Sequence, residues 1–472
     1  MESKYKKLAQ NTAIFAIGSF GSKVLSSLIV PLYTYVLTTV EYGKIDLFTT
    51  SISLMLPFVT LLMQESLLRF VLGKEIRENV AVSNCWLIFV GGSALAIALF
   101  PLYKVAYGST QLAIVFLLLL ILNSFNQIFS QFLRAVGRNV AFMLDGVIIT
   151  AVTLASNFTL LVGFHMGMMG YLYSAVLAQA VSAVFILFAG NLWEHISFRY
   201  CDFTLLKKML KYSIPLIPNS MMWWIMSAGD KYIINYFLGD GANGLYSLAS
   251  KLPTIVTMVY SLFFQAWQLS AIEEIGKTDE KAFYTNVYKV TNAMLMLMVT
   301  GIVLLVEPVY VLVMNEEFAP SWQYVPLLTI AMIFSCMASF FSVTYTNSMQ
   351  TAKVFVTTAL GAVVNIACNM LLIRPLGLHG VAIGTAVGYL VVAVIRGRAS
   401  YKETGADFDL GRTIISIVLL LVQSAAVILM GGLWGYLVAV LCVLAEMFLY
   451  RKEIFMILNM VWRMVFNKKA QG

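Results

Sequence analysis

Charge is what this 472-residue chain has least of: Asp, Glu, Lys and Arg together make up 11% of it, and it carries three histidines. A water-soluble domain of this size carries about 25% charged residues, so a soluble fold is excluded. His165, His195 and His379 are scattered through the chain, with no ligand spacing for a metal. Five cysteines (Cys85, Cys201, Cys336, Cys368, Cys442) are equally dispersed, which excludes a disulfide framework and reads as small apolar packing residues. No glycine-rich phosphate loop ending in Lys-Ser or Lys-Thr is present, so ATP hydrolysis by this chain is not expected, and neither is a bound cofactor. Long outer loops are missing too. The longest outer turn, Glu307 to Ser321, is short and leaves little room for a catalytic domain outside the spans.

What is present is apolar: 60% hydrophobic residues and a mean hydropathy of +0.85. A bilayer core of about 30 Å requires about 20 apolar residues per helical crossing. Fourteen such stretches are predicted, at 11–37, 46–72, 85–104, 111–133, 140–163, 169–190, 212–238, 245–272, 286–306, 322–347, 354–373, 380–395, 412–430 and 434–450. The fold class is therefore an all-α integral membrane protein. The first stretch is too long and too polar at its flanks for a cleavable signal.

Basic residues resist translocation and mark cytoplasmic loops. With the N-terminus inside, the even turns and the tail carry most of them, including Lys74, Arg77, Arg134, Arg138, Lys207, Lys208, Lys353, Arg396, Arg412 and Arg451, against Lys44, Lys104 and Arg374 outside. Both termini are expected in the cytoplasm. The net charge of +8 is this topology signal rather than a nucleic-acid surface. The segment 451–472 reads as a basic amphipathic tail on anionic lipid.

The pattern restarts halfway. Lys6-Lys7, Gly43 and Leu47 recur as Lys207-Lys208, Gly244 and Leu248 at one offset, and Gly167-x-x-Gly170 recurs as Gly377-x-x-Gly380 at a slightly larger one. Six spans per unit give both halves the same topology, hence two pseudo-twofold-related lobes about an axis along the membrane normal. The expected organisation is an N-lobe at 1–190, a basic cytoplasmic linker at 191–211, a C-lobe at 212–396, two further spans at 412–450 and the tail. Two such lobes suit transport by rocking. Pro31, Pro57, Pro215, Pro218 and Pro253 are candidate flexure points.

Pro31-Leu-Tyr and Glu41-Tyr-Gly43 near the start, Asp230-Lys231-Tyr232, Gly244-Leu-Tyr-Ser-Leu-Ala-Ser-Lys251, and Gly377-x-x-Gly380-x-Ala382-x-Gly384-Thr385-Ala386 together resemble the bacterial oligosaccharide (Wzx-type) flippases. These belong to the multidrug, oligosaccharidyl-lipid and polysaccharide exporter superfamily. The resemblance implies an inner-membrane transporter with alternating access. Its implied cargo is undecaprenyl-pyrophosphate-linked oligosaccharide, bound for capsule, exopolysaccharide, O-antigen or teichoic acid. It also implies polymerase or glycosyltransferase partners, and H+ or Na+ is a candidate coupling ion. A cation-coupled multidrug antiporter on the same scaffold is the alternative, and a membrane-embedded polysaccharide polymerase or ligase ranks last for want of a large outer loop.

Charged residues within spans are costly unless they face water, protein or each other, and so are functional candidates. Lys23, Arg69, Lys231 and Lys251 form a cationic ladder suited to a pyrophosphate, since Lys supplies a point charge and Arg a bidentate fork. Their repeat positions are uncharged. Glu65 and Arg69 stand four apart on one helical face, so a structural ion pair competes with cargo contact. Asp230 is read either as pairing with Lys251 or as a protonatable coupling group. Asp145 is expected to contact Arg134 or Arg138, and Glu446 is a further intramembrane charge. Trp223, Trp224 and Trp267 are candidates for stacking on sugars, with packing or interfacial anchoring as the competing role.

Overall fold

A computed structural model describes residues 29–273, 280–348 and 350–456. Among them every regular element is helical: α1 (Val30–Val36), α2 (Thr39–Thr60), α3 (Met63–Leu72), α4 (Glu78–Ala98), α5 (Phe100–Tyr107), α6 (Thr110–Ala135), α7 (Asn139–Asn157), α8 (Gly167–Gly190), α9 (Leu192–His195), α10 (Phe203–Ser213), α11 (Ile217–Ala249), α12 (Lys251–Glu273), α13 (Glu280–Val313), α14 (Val325–Asn347), α15 (Thr351–Thr404), α16 (Leu410–Ala425) and α17 (Gly432–Leu449). Helices dominate because hydrocarbon offers the backbone no hydrogen-bond partners, and a helix satisfies its own. The chain forms two compact units, Met1–Ala228 and Gly229–Gly472.

Among the described residues ten segments are long and apolar enough to cross a bilayer, and α2 with α3, bent by 54°, make an eleventh. Two of the ten account for two of the three remaining predicted crossings. Phe203–Phe264 has 62 residues and Ala352–Thr404 has 53, roughly 90 and 80 Å at about 1.5 Å per residue, far beyond one bilayer. Each breaks at a glycine with positive φ, Gly239 (φ 85°) and Gly377 (φ 56°), where a side chain would be strained. The first expected span is described only from residue 29 onward. Residues 457–472 of the basic tail, Lys6 and Lys7 lie outside the described residues.

Glycine also sets how closely these hairpins pack. A Cβ on Gly380 would lie 2.3 Å from the Leu372 carbonyl oxygen, one on Gly384 2.1 Å from Asn369 Oδ1, and one on Gly388 2.8 Å from the Asn365 Cβ. The partner numbers fall as the glycine numbers rise, so the two arms of α15 run antiparallel along a stripe of glycines one helical turn apart. The first unit uses the same device. Gly167 (φ 54°) opens α8, and a Cβ on Gly170 would meet the Leu160 carbonyl at 3.2 Å. The recurring Gly-x-x-Gly is thus a turn glycine followed by a packing glycine in both units.

Glu41 explains another part of the sequence pattern. Its Oε2 accepts from the Thr38 backbone N–H at 3.1 Å, closing a capping box at the start of α2, while Oε1 accepts from the Met168 N–H at 3.2 Å and ties that end to α8. Of the five prolines expected to flex spans, Pro31, Pro215, Pro218 and Pro253 occupy opening turns, where no N–H is required, and Pro57 alone is interior. The sharp bend lies at Leu61 and Leu62, whose φ values are 47° and 52°.

The basic linker is short helices docked on the first unit. Asn84 exchanges two hydrogen bonds with the Asp202 backbone (3.2 and 3.1 Å), and Ser66 donates to the Met209 carbonyl at 2.7 Å. Lys208 Nζ sits 2.9 Å from Glu75 Oε2 and holds that carboxyl below its ordinary range.

Gly384→Val should lower the melting temperature of the detergent-solubilised protein, at a cost of about 1–3 kcal/mol from overpacking. Gly301→Ala, where an added Cβ meets nothing within 4 Å, should melt like the wild type.

Candidate functional site

Asp230 is a buried acid within a polar cluster of the second unit. It lies on the first arm of α11, and its Oδ2 accepts from the Tyr246 hydroxyl at 2.8 Å, across the hairpin turn at Gly239. Thr385 Oγ1 stands 3.3 Å from the same oxygen and also reaches the Val381 carbonyl at 3.0 Å. Asn365 Nδ2 donates to Thr385 Oγ1 at 3.3 Å, and Asn369 Nδ2 donates to Asn365 Oδ1, also at 3.3 Å. Two buried oxygens of this cluster, Asp230 Oδ1 and Asn369 Oδ1, have no hydrogen-bond donor. Its ligating atoms are all hard: one carboxylate, amide and hydroxyl oxygens, and a main-chain carbonyl. Such a set suits a proton or an alkali cation and not a soft transition metal. Among the described residues no group of three His, Cys, Asp or Glu gathers for a metal.

The expected pairing of Asp230 with Lys251 is not formed. Lys251 opens α12 with its side chain exposed, and among the described residues its ammonium meets no carboxylate. Lys231 is half-buried and lends its charge to Asp230 through space without standing opposite it, as adjacency on a helix requires. Glu65 and Arg69 also fail to pair. Both are exposed on α3, and the Arg69 guanidinium lies over the Tyr212 ring, 5.5 Å from its centroid. Lys23 lies outside the described residues.

Among α1, α7 and α8 of the first unit Asn157 Nδ2 donates to the Tyr33 hydroxyl at 2.7 Å, with the Tyr171 ring edge-on at 5.3 Å. The buried Asp46 of α2 stands beside Tyr42 of the same group. Asp145 accepts from Ser182 at 2.6 Å, while Arg138 turns its guanidinium to the Ala189 carbonyl. Trp267 is buried in parallel contact with Phe340 (centroids 4.5 Å apart), which makes it a packing residue. Trp224 donates to Ser53 Oγ at 3.0 Å.

Sequence reasoning missed Asn365, Asn369 and Thr385 as functional residues. The available signal was two asparagines four apart in an apolar stretch, facing the threonine of the glycine-rich motif. It also misjudged Arg396, taken as a surface topology marker. Arg396 is fully buried, with Nε on Thr357 Oγ1 (2.9 Å), Nη1 on the Ala338 carbonyl (3.1 Å), and Nη2 on the Val354 carbonyl (3.0 Å) and Thr358 Oγ1 (2.8 Å). It clamps α14 to both arms of α15 without a carboxylate. Arg396→Ala removes four hydrogen bonds made by a buried cation, about 1.5–3 kcal/mol each for charged donors, and should sharply reduce thermal stability and yield of monodisperse protein. A wild-type melting curve would contradict the clamp.

Solved structures of low sequence identity share the architecture. An inward-facing multidrug resistance MATE family transporter superposes with a TM-score of 0.68 at 14% identity, covering 81% of this chain and 94% of that one. The lipid II flippase MurJ in an inward closed conformation superposes with a TM-score of 0.65 at 14% identity, covering 96% and 99%. In sequence, the probable lipid II flippase MurJ of Thermotoga maritima is 24% identical over 226 residues, 45% of this chain, and the match spans less than half (46%) of that relative's length. The family model described as polysaccharide biosynthesis protein matches residues 8–268. That is more than half of a chain whose helical fold is shared with those two transporters, and this protein belongs to the polysaccharide biosynthesis protein family.

Proposed function

We propose that this protein flips lipid-linked oligosaccharide, carried on a polyprenyl pyrophosphate such as undecaprenyl pyrophosphate, from the cytoplasmic to the outer leaflet of the bacterial inner membrane. The observation that carries the reading is Lys251: an exposed ammonium at the head of a bilayer-crossing helix, with no carboxylate among the described residues to neutralise it. A charge on such an element is costly unless it meets water or an anion. A pyrophosphate supplies the anion, and Arg69, Lys231 and Lys23 are further positions for it. Membership in a polysaccharide biosynthesis family supports a sugar-bearing cargo.

The Asp230 cluster takes the coupling role. Asp230 Oδ1 and Asn369 Oδ1 are the donor-free oxygens of the cluster, and Thr385 Oγ1 and the Val381 carbonyl are joined to it by hydrogen bonds. The ends of broken helices are where secondary transporters coordinate Na+ or H+. Of the two, Na+ fits better, because several neutral oxygens accompany the carboxylate. Binding there draws α11 and α15 together, and release loosens them, which gives rocking a source of free energy without ATP. Transfer to capsule, exopolysaccharide, O-antigen or teichoic acid polymerases downstream completes the export.

Deletion in the native host should make lipid-linked repeat units accumulate on the cytoplasmic leaflet while surface glycan is lost. Lys251→Ala should restore less than about a tenth of the surface glycan, by analogy with losing one charged hydrogen bond, and Lys251→Arg should restore most of it. Normal surface glycan in the deletion strain, with altered efflux of cationic drugs, would replace this reading with the antiporter.

A further inference from the structure

A second buried acid lies away from the Asp230 cluster, in the C-terminal helix pair. Glu446 on α17 has no exposed surface, while Leu441, Leu444 and Phe448 on the same helix are exposed apolar residues, as on a lipid-facing surface. Its Oε2 accepts from Ser416 of α16 at 3.0 Å, and its Oε1 has no donor.

Tracing the hydrogens through the cluster gives a definite count. Tyr288 of α13 stands 3.3 Å from Thr413 Oγ1, and Thr413 donates to the Asp409 carbonyl at 3.2 Å. Asn292 of α13 spends both amide hydrogens, one on Thr413 Oγ1 and one on the Tyr450 hydroxyl oxygen, each at 3.0 Å. Ser416 Oγ lies 2.9 Å from that hydroxyl. Since Ser416 has one hydrogen and its carboxylate neighbour has none, Tyr450 donates to Ser416 and Ser416 donates to Glu446. Every donor is then used, and two buried acceptors remain, Glu446 Oε1 and Asn292 Oδ1. The cluster is short of a donor.

Among the described residues no side-chain cation supplies it. From α16, Arg412 is taken by Asp409 (Nε to Oδ2, 3.2 Å) and Glu453 (Nη1 to Oε1, 3.1 Å). From α13 the facing titratable group is Tyr288. Along its own helix and just beyond, Glu446 has Cys442, Tyr450 and Glu453 for neighbours, and Arg451 lies over the Phe448 ring. An anion with one serine donor in this setting would cost several kcal/mol.

We propose that Glu446 is a proton-binding site of the C-terminal helix pair. A proton taken from water at the Arg412–Glu453 end forms an O–H bond on the carboxylate, giving a neutral carboxylic acid and the missing donor. With the proton bound, α13, α16 and α17 seal on one another. Releasing it leaves a bare anion that the packed pair does not tolerate, so proton loss and separation of the pair from α13 are linked. The site is independent of the cargo and of the Asp230 cluster.

The test is infrared difference spectroscopy on the full-length protein in phosphatidylglycerol and phosphatidylethanolamine vesicles, between acidic and alkaline buffer. The stretch of one protonated carboxyl should disappear in Glu446→Gln and persist in Asp230→Asn. Ser416→Ala keeps the acid but removes its donor, and should shift the frequency of that band, which tests the site even where Glu446→Gln does not fold. A spectrum unchanged by the folded Glu446→Gln variant, or by Ser416→Ala, would overturn the proposal. So would displacement of the band by Na+ against choline at constant pH, which would make this an alkali-cation site.

Discussion

Hydrocarbon cannot hydrogen-bond, and most of the structure follows from that constraint. Main-chain groups are satisfied inside helices, and polar side chains find partners between helices or else face water. Helices that approach closely enough to share polar atoms need small residues at the contact, which is why Gly380, Gly384 and Gly388 line the face toward Asn365, Asn369 and Leu372. The same close approach that excludes lipid also gathers Asp230, Thr385 and the two asparagines. Packing and the candidate ion site are one arrangement seen from two sides.

The two units share a helix-opening device and differ in their polar chemistry. Both units open a helix at a positive-φ glycine and pack the next glycine on a carbonyl of the preceding helix. In the first unit Tyr33 pairs with Asn157, and the buried Asp46 stands beside Tyr42 of the same group. Arg396 differs from these buried acids. It is a buried cation whose partners are all neutral oxygens, fully matched and therefore structural.

The helical membrane fold was legible because apolar length is a one-dimensional property, and so was the Gly-x-x-Gly recurrence, because a turn glycine and a packing glycine leave a fixed spacing. Side-chain partnership was less legible. Spacing allowed Glu65 to meet Arg69, but both are exposed and the guanidinium prefers the Tyr212 ring. Its place on the neighbouring span suggested Lys251 for Asp230, whereas the break at Gly239 folds Tyr246 back onto the acid. Arg396 read as a cytoplasmic marker because a span's end and a buried clamp look alike in hydropathy. Such choices are made by the path of the chain at its glycines, and one sequence without its fold does not encode which of several donors arrives first.

The most direct measurement of the account is flipping of a pyrophosphate-linked oligosaccharide lipid by the purified full-length protein in sealed vesicles, with an imposed Na+ gradient against choline. The account predicts that the gradient accelerates flipping in the wild type, and that Asp230→Asn flips at one slow rate in either buffer. Flipping that responds equally to the gradient in both proteins would remove the Asp230 cluster from the coupling mechanism, and no flipping of this lipid under any gradient would contradict the transport reading itself.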